Sequence, residues 1–172
     1  MSTATIVLCP ALPGSEPTYD AADVVDVVLD DPRAAGIRAM SLDVPDPEPG
    51  DDRRTARAHW VAHLAVGLAA RSATAPVLLV LGGESGAMAA AVGFSQRAAR
   101  RAVSGYVLVD AAVPPAESRG GDWPDAPVSY IASPAADPLA VNQARLRGWD
   151  VREVADTTPA TVGAAVAEIA TG

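Results

Sequence analysis

The sequence predicts a three-layer α/β/α sandwich in which six strands form a mostly parallel sheet between two layers of helices. Short apolar runs alternate along the 172 residues with segments whose apolar residues recur at helical spacing. The strand runs are apolar throughout, which is typical of strands covered on both faces. The longest connection is too short to hold a helical cap domain, and no repeat or boundary is visible. We therefore expect a minimal, capless single domain over residues 1–172.

Composition excludes several functional classes. Hydrophobic residues make up 49% of the chain and aromatic residues only 4%, so the core must be built from Ala, Val and Leu. The net charge of −8 argues against nucleic acid or an anionic membrane as the main partner. All basic residues are arginine, so a Schiff-base lysine and the lysine of a phosphate-binding loop are both excluded. A single cysteine, Cys9, excludes an internal disulfide and a Cys-rich metal site. We expect it to behave as a small buried hydrophobe, and we expect no cofactor or metal.

The N-terminal residues predict the compartment. Residues 1–8 lack a basic region, and no segment approaches the roughly 18 consecutive apolar residues that a membrane span needs. We expect a soluble, cytoplasmic protein without a signal peptide. Its expected partner is a small-molecule substrate, and an uncovered apolar edge would permit a homodimer.

The first half of the chain predicts two strands, each followed by a helix. Residues 4–9 form a β-branched run typical of a buried strand, and residues 36–44 form a second. Helices are predicted over 20–29 and 55–71. The apolar face of the first helix comprises Ala22, Val25, Val28 and Leu29, and that of the second comprises Trp60, Val61, Leu64, Ala65 and Leu68.

The second half continues the alternation. Thr158 as N-cap, with Pro159 at the first helical position, begins a last helix whose apolar face is Val162, Ala165, Val166 and Ile169. Residues 111–126 form a connection rich in Pro, Gly and Asp. The other strands are predicted over 76–81, 105–110, 127–132 and 149–154, and the other helices over 86–102 and 139–147.

One motif indicates a catalytic function. Gly83-Glu84-Ser85-Gly86-Ala87 fits the small-x-Ser-x-small form of a nucleophile elbow, a strained turn that exposes a serine hydroxyl above a parallel sheet. Ser85 is the candidate nucleophile, and the N–H of Gly86 is a candidate oxyanion donor. A dinucleotide-binding loop is disfavoured because Leu81 stands where its first glycine would be.

With this motif the chain resembles the α/β-hydrolase superfamily, and among it the small capless serine hydrolases of the retinoblastoma-binding-protein-9 type. The resemblance covers nearly the whole chain. The segment 10–15 matches the second half of the family's His-Gly-x-Pro-Gly-Ser loop. The resemblance implies that the backbone N–H of Leu12 is a second oxyanion donor and that Pro13 lies beside the substrate. Pro134 to Pro138 matches the end of the family's acid loop, which implies that Asp137 is the triad acid.

The triad histidine is missing from the pattern. The resemblance places it in the turn after the sixth strand, where this chain has residues 155–159 and no histidine. The chain's two histidines, His59 and His63, lie on the helix before the third strand and are expected to be solvated, away from the elbow. Without an imidazole the ordinary serine-hydrolase cycle lacks its general base.

Several acidic side chains could replace it. Glu84 adjoins Ser85 and is either a turn residue or a carboxylate base. Asp110, at the end of the fourth strand, and Asp137 could flank Ser85 in catalytic roles or could be structural loop residues. Trp123 is either an aromatic wall over the site or a loop anchor.

Three classes of function remain open. The chain could be an atypical hydrolase-fold enzyme that cleaves or transfers a small ester, thioester or lactone-like substrate at Ser85, with a non-standard proton acceptor. It could run a non-hydrolytic reaction, such as elimination, cyclisation or proton transfer beside a carbonyl, in specialised metabolism. It could also be a catalytically silent protein that binds a ligand or a partner.

Overall fold

A six-stranded, wholly parallel sheet organises the molecule, as the alternating pattern predicts. The computed structural model describes residues 2–115 and 123–172. From one edge to the other, the strands run in the order β2-β1-β3-β4-β5-β6. Their bounds are β1 (Thr5–Leu8), β2 (Arg38–Ser41), β3 (Val77–Gly82), β4 (Val103–Val109), β5 (Val128–Ala132) and β6 (Asp150–Glu153).

Helices cover both faces of the sheet, which confirms the three-layer prediction. One layer holds two helices that pack on each other, and the other layer holds three. No helix among the described residues is long and apolar enough to cross a bilayer. The paired helices are α1 (Ala21–Asp30) and α5 (Pro159–Thr171), and the opposite layer holds α2 (Arg53–Ala70), α3 (Ala89–Ala98) and α4 (Pro138–Leu146).

Two apolar cores lie on either side of the sheet because neighbouring side chains of a strand point to opposite faces. In β3, Leu79 and Leu81 pack towards α2 and α3, whereas Leu78 and Val80 pack towards α1 and α5. Small residues let the helices approach closely. A Cβ added to Gly163 would lie 2.4 Å from Val27 Cγ1, so α5 can press against α1 only with glycine there.

The structure corrects two local predictions. The buried residues of α1 are Val24 and Val28, and Leu29 is 55% exposed, because the face of α1 that meets the sheet and α5 is rotated from the predicted face. The predicted helix over 86–102 is instead a 3-10 helix over Gly83–Met88 followed by α3. It ends early because Arg100 has a left-handed φ of 57° and turns the chain into β4.

Candidate functional site

The loops at the carboxyl edge of the sheet enclose a crevice of about 480 Å³. The loop after β1, the loop after β2 and the first turns of α2 form its walls, and Glu84 contributes from the turn after β3. Ligands of open α/β sheets bind at this edge. The lining residues include Leu12, Pro13, Gly14, Ser15, Asp46, Asp51, Arg53, Arg57 and Glu84, so the predicted Leu12, Pro13 and Glu84 do share one site.

The turn after β3 differs from the predicted elbow. Gly83, immediately after the strand, has a φ of 55° and is the left-handed residue of the turn. Ser85 lies two residues later inside the 3-10 helix, is 1% exposed, and donates its hydroxyl to the carbonyl of Gly82 at 2.7 Å. The expectation that the strained position carries a serine with an exposed hydroxyl is therefore not met. A nucleophilic role for Ser85 stays a prediction.

The space above the left-handed glycine is filled by the loop after β1. A Cβ on Gly83 would lie 2.8 Å from Thr18 Oγ1, and a Cβ on Gly82 would lie 2.8 Å from Tyr19 Cε1. Tyr19 is anchored there because its hydroxyl donates to the carbonyl of Val80 at 3.3 Å. Sequence reasoning missed Thr18 and Tyr19. Two consecutive glycines at the end of a strand were the available signal of a close approach.

Leu12 and Glu84, which line the crevice, are the residues whose backbone N–H groups are considered as oxyanion donors. The N–H of Leu12 has no acceptor among residues 2–115 and 123–172, although the carbonyl of Leu12 accepts from Ser15 N at 3.0 Å. Glu84 stands in the first turn of the 3-10 helix, where N–H groups lack a partner inside the helix. The role of the Gly86 N–H as an oxyanion donor stays a prediction. A Cβ there would lie 2.5 Å from the carbonyl oxygen of Ala112, so Gly86 packs beneath the loop after β4.

A tryptophan of α2 holds the loop after β1 in place. Trp60 is 1% exposed, and its indole Nε1 donates to the carbonyl of Ala11 at 3.1 Å. The apolar pattern correctly predicted that Trp60 is buried. It could not predict that the indole N–H would fix the residue next to Leu12.

Glu84 presents an accessible carboxylate to the crevice. Its side chain is 59% exposed, and Oε2 lies 3.8 Å from a terminal nitrogen of Arg57. At this distance the contact is a loose ion pair, because charge-assisted hydrogen bonds are about 1 Å shorter. Glu84 can therefore exchange Arg57 for a ligand without the loss of a buried hydrogen bond.

The other two carboxylates hold the loop after β5. Asp110 has a φ of 43°, and one of its oxygens accepts from Ser133 N at 2.7 Å while the other accepts from Ser133 Oγ. Asp137 is exposed and caps α4 by accepting from Leu139 N at 2.9 Å. Both side chains thus have structural partners, and their catalytic roles stay predictions.

Trp123 does not lie over the crevice. Its ring packs edge-on against Tyr106, with centroids 5.4 Å apart, and against Trp149, with centroids 5.6 Å apart. Trp149 directly precedes β6, so the cluster lies towards the amino ends of β5 and β6, opposite the loops of the crevice. The loop-anchor interpretation of Trp123 fits this placement. Residues 116–122 of the same connection lie outside the described residues.

The histidines stand apart from the turn after β3. Both are exposed on α2 and line a cavity of about 330 Å³ that shares Pro13 and Asp46 with the crevice, and His59 Nδ1 lies 3.2 Å from an oxygen of Asp51. Among the described residues, no group of three metal-ligating side chains exists. In the turn after β6, Asp156 accepts from both N and Oγ1 of Thr158, so a carboxylate-threonine pair stands where the triad histidine was expected.

The single cysteine is not a usable nucleophile. Cys9 is 3% exposed, and burial raises the pKa of its thiol from 9.0 to about 12. The thiolate is the reactive form of cysteine, so Cys9 is inert at neutral pH. This agrees with its predicted role as a small core residue.

No family model matches the sequence, and no curated protein does. Several solved structures have a similar backbone fold. The NocB thioesterase domain, in covalent complex with a fluorophosphonate nocardicin G analogue, aligns over 100% of this chain and 96% of its own at 18% identity and a TM-score of 0.57. The chain has the α/β-hydrolase fold. A variant of tomato methylketone synthase I complexed with β-ketoheptanoate aligns over 99% and 98% at 11% identity and a TM-score of 0.60. An Arabidopsis methylesterase aligns over 97% of both chains at 13% identity and a TM-score of 0.55.

The α/β-hydrolase fold identifies what the turn after β3 lacks. In this fold the strained residue after the central strand carries the nucleophile, and the histidine follows the last strand. Here those two positions hold Gly83 and the turn containing Asp156 and Thr158. Leu12 lines the crevice, and Glu84 adds an exposed carboxylate to it.

Proposed function

We propose that this protein acts on a small anionic carbonyl compound by non-covalent proton transfer, with Glu84 as the proton acceptor. One observation carries the proposal. The left-handed residue after β3 is Gly83, which offers no side chain for attack, while the next residue places an accessible carboxylate in the crevice. Of the three classes of function that the sequence left open, this is the non-hydrolytic one.

The chemistry balances with groups of the chain alone. The Glu84 carboxylate removes a proton from the carbon beside the substrate carbonyl. The electron pair of that C–H bond forms a C–C double bond, and the carbonyl oxygen becomes an enolate oxyanion. The N–H groups of Leu12 and Glu84 would stabilise this oxyanion. Glu84 then returns the proton, either to carbon or to a departing group.

Two arginines supply affinity for an anion. Arg53 and Arg57 line the same crevice, together with the carboxylates of Asp46, Asp51 and Glu84. A guanidinium group matches the planar geometry of a carboxylate and keeps its charge at any physiological pH. A substrate carboxylate would displace Glu84 from its loose contact with Arg57 and leave Glu84 free to accept a proton.

A structural neighbour supports the choice of ligand class. The tomato methylketone synthase variant is complexed with β-ketoheptanoate, which combines a ketone with a carboxylate. The same fold can therefore hold an anionic carbonyl compound. The NocB domain instead forms a covalent complex with a fluorophosphonate, a reaction that requires a nucleophile.

Proton exchange at carbon tests the proposal directly. The protein is incubated in D₂O with 4-oxopentanoate, and loss of the signals of protons beside the ketone is followed by NMR. Glu84→Gln should slow this exchange by about 100-fold or more, the usual contribution of a general base. Glu48→Gln, in the loop after β2, serves as the matched control and should not slow it.

The serine provides the opposing outcome. Ser85→Ala should exchange protons as fast as the unaltered protein, and incubation with a fluorophosphonate should leave its intact mass unchanged. A covalent adduct that forms on the unaltered protein and disappears in Ser85→Ala would overturn the proposal in favour of acyl chemistry at Ser85. Absence of exchange with 2-, 3- and 4-oxo acids would leave a binding function.

A further inference from the structure

We propose that the groove between α2 and α3 binds the alkyl chain of an amphipathic anion whose charged end reaches the crevice. The inference names the substrate class more narrowly and rests on the proposed function for the reaction at the charged end. The groove itself is a separate feature, built from side chains that take no part in proton transfer.

The groove is apolar and open. It has a volume of about 960 Å³, and its walls are formed mainly by Val61, Met88, Ala91 and Phe94. Phe94 is 56% exposed, although aromatic side chains are scarce in this chain. The volume falls within the roughly 300–1,000 Å³ range of small-molecule sites, which are mostly lined by apolar side chains.

Positive charge is confined to one end of the groove. Arg53, Arg54 and Arg57 lie in the first two turns of α2 and line that end. Among the described residues, Arg53 and Arg54 have no ion pair, and Arg57 has only its loose contact with Glu84. Arg54 also interacts electrostatically with the neighbouring Asp52. Arginines at one end of an apolar channel complement a molecule with an anionic head and a hydrocarbon tail.

The groove adjoins the crevice. Arg53 and Arg57 line both spaces, so a head group bound between them is already next to Glu84. From the arginines the groove runs beside α2 as far as Val61 and beside α3 as far as Ser95. The seven residues of α3 from Ala89 to Ser95 span about 10 Å, which is long enough for a medium-length alkyl chain.

Charge also argues against a second copy of the protein as the occupant. In a two-fold symmetric interface both subunits use the same surface. The arginines of one copy would then share the interface with those of the other, and juxtaposed like charges oppose association. A small amphipathic anion satisfies the same arginines and the apolar walls together.

A homologous series of carboxylates tests the inference by calorimetry. Acetate, butanoate, hexanoate and octanoate are titrated into the full-length protein below their micellar concentrations. Affinity should rise about fourfold for each added methylene, because each one that enters the groove leaves water. Octyltrimethylammonium, which has the same tail and the opposite charge, should bind at least tenfold more weakly than octanoate.

Two exposed apolar residues provide a matched pair of variants. Phe94→Ala should reduce the gain in affinity from acetate to octanoate several-fold. Leu146→Ala on α4, where the leucine is 79% exposed, should leave that gain unchanged. Because both positions are at the surface, neither substitution should impair folding, and thermal melts check this.

Three results would overturn the inference. They are an affinity that does not depend on chain length, octyltrimethylammonium binding as tightly as octanoate, and a dimer in sedimentation that Phe94→Asp dissociates. The proposed function fails separately. Suppose that affinity still depends on chain length in Glu84→Gln, but that the unaltered protein exchanges no protons beside a ketone. Binding in the groove would then be supported, and the proposed proton transfer would be contradicted.

Discussion

At the scale of single residues, the two glycines that end β3 decide the chemistry of the turn. Gly82 and Gly83 allow Tyr19 and Thr18 to pack directly on the strand end, where a side chain would collide with them. Gly83 also adopts a left-handed φ of 55°, which residues with a Cβ rarely adopt. In the α/β-hydrolase fold this strained position carries the nucleophile. Here it is a glycine, and Thr18 occupies the space that a side chain would need.

Replacement of this glycine should be costly for two reasons. Gly83→Ala should lower the free energy of unfolding by more than the roughly 1–2 kcal/mol expected for a left-handed alanine alone, because Thr18 must also move. Gly148→Ala is the matched control, since Gly148 has a φ of 72° and a Cβ added there would meet no atom within 4 Å. Equal losses in urea unfolding of the two variants would show that contact with Thr18 has no cost.

At the scale of secondary-structure elements, the loop after β5 and the start of α4 form one hydrogen-bonded unit. Asp110 accepts two hydrogen bonds from Ser133, which follows the end of β5. Four residues later, Asp137 caps α4. The family resemblance implies that Asp137 is a triad acid. The structure shows a side chain with a helix to stabilise and no histidine in the turn after β6 to orient.

The N-cap of α4 can be separated from a catalytic acid by two substitutions. Asp137→Ala should lower the free energy of unfolding by about 1 kcal/mol, whereas Asp137→Asn should change it by only a few tenths, because asparagine caps helices as well as aspartate. Both variants should retain proton exchange with 4-oxopentanoate. Loss of exchange in a stably folded Asp137→Asn would instead support the acid role.

The connection after β4 shows why element-level patterns mislead. Trp123 follows β4 in sequence, which favours a place above the elbow. The chain instead passes to the other end of the sheet, where Trp123 packs against Tyr106 and Trp149. Tyr106 also donates to Asp125, and Arg97 pairs with the same carboxylate, so the connection is tied to α3 at this end.

At the scale of the whole molecule, the burial of a thiol and two phenol groups makes the folded state less stable at alkaline pH. Burial raises the pKa of the Cys9 thiol to about 12. Burial also raises the pKa of Tyr19, and burial together with Asp110 raises that of Tyr130 to about 12. In the unfolded chain these groups lose their protons at lower pH. Unfolding therefore releases protons between about pH 9 and 12, so the folded state loses stability as pH rises through that range.

The contribution of Cys9 can be isolated. Between pH 9 and 12 the free energy of unfolding should fall by up to about 1.4 kcal/mol per pH unit more steeply in the unaltered protein than in Cys9→Ala. Tyr130 is present in both proteins and cancels in the comparison. Cys9 also raises the pKa of Tyr19, so the difference between the slopes includes that interaction. Denaturant unfolding at several pH values measures the two slopes, and equal slopes would contradict a buried, protonated thiol.

Much of the architecture follows from patterns within single segments. The alternation of apolar runs and helical faces correctly predicted six strands, their order along the chain and the burial of Trp60, Leu64 and Leu68 on α2. The absence of a histidine after the sixth strand needs no structure at all. These features depend on residues close in sequence, where periodicity and turn chemistry act locally.

The sequence by itself therefore determined the layers, the parallel sheet and the absence of a histidine from residues 155–159. Only the tertiary structure decided which glycine occupies the strained turn, because Thr18 and Tyr19 come from another loop. It also decided that Glu84 meets Arg57, and that the apolar groove opens beside them. Contacts between distant segments depend on how helices rotate and loops pack against the sheet, and no local pattern specifies that geometry.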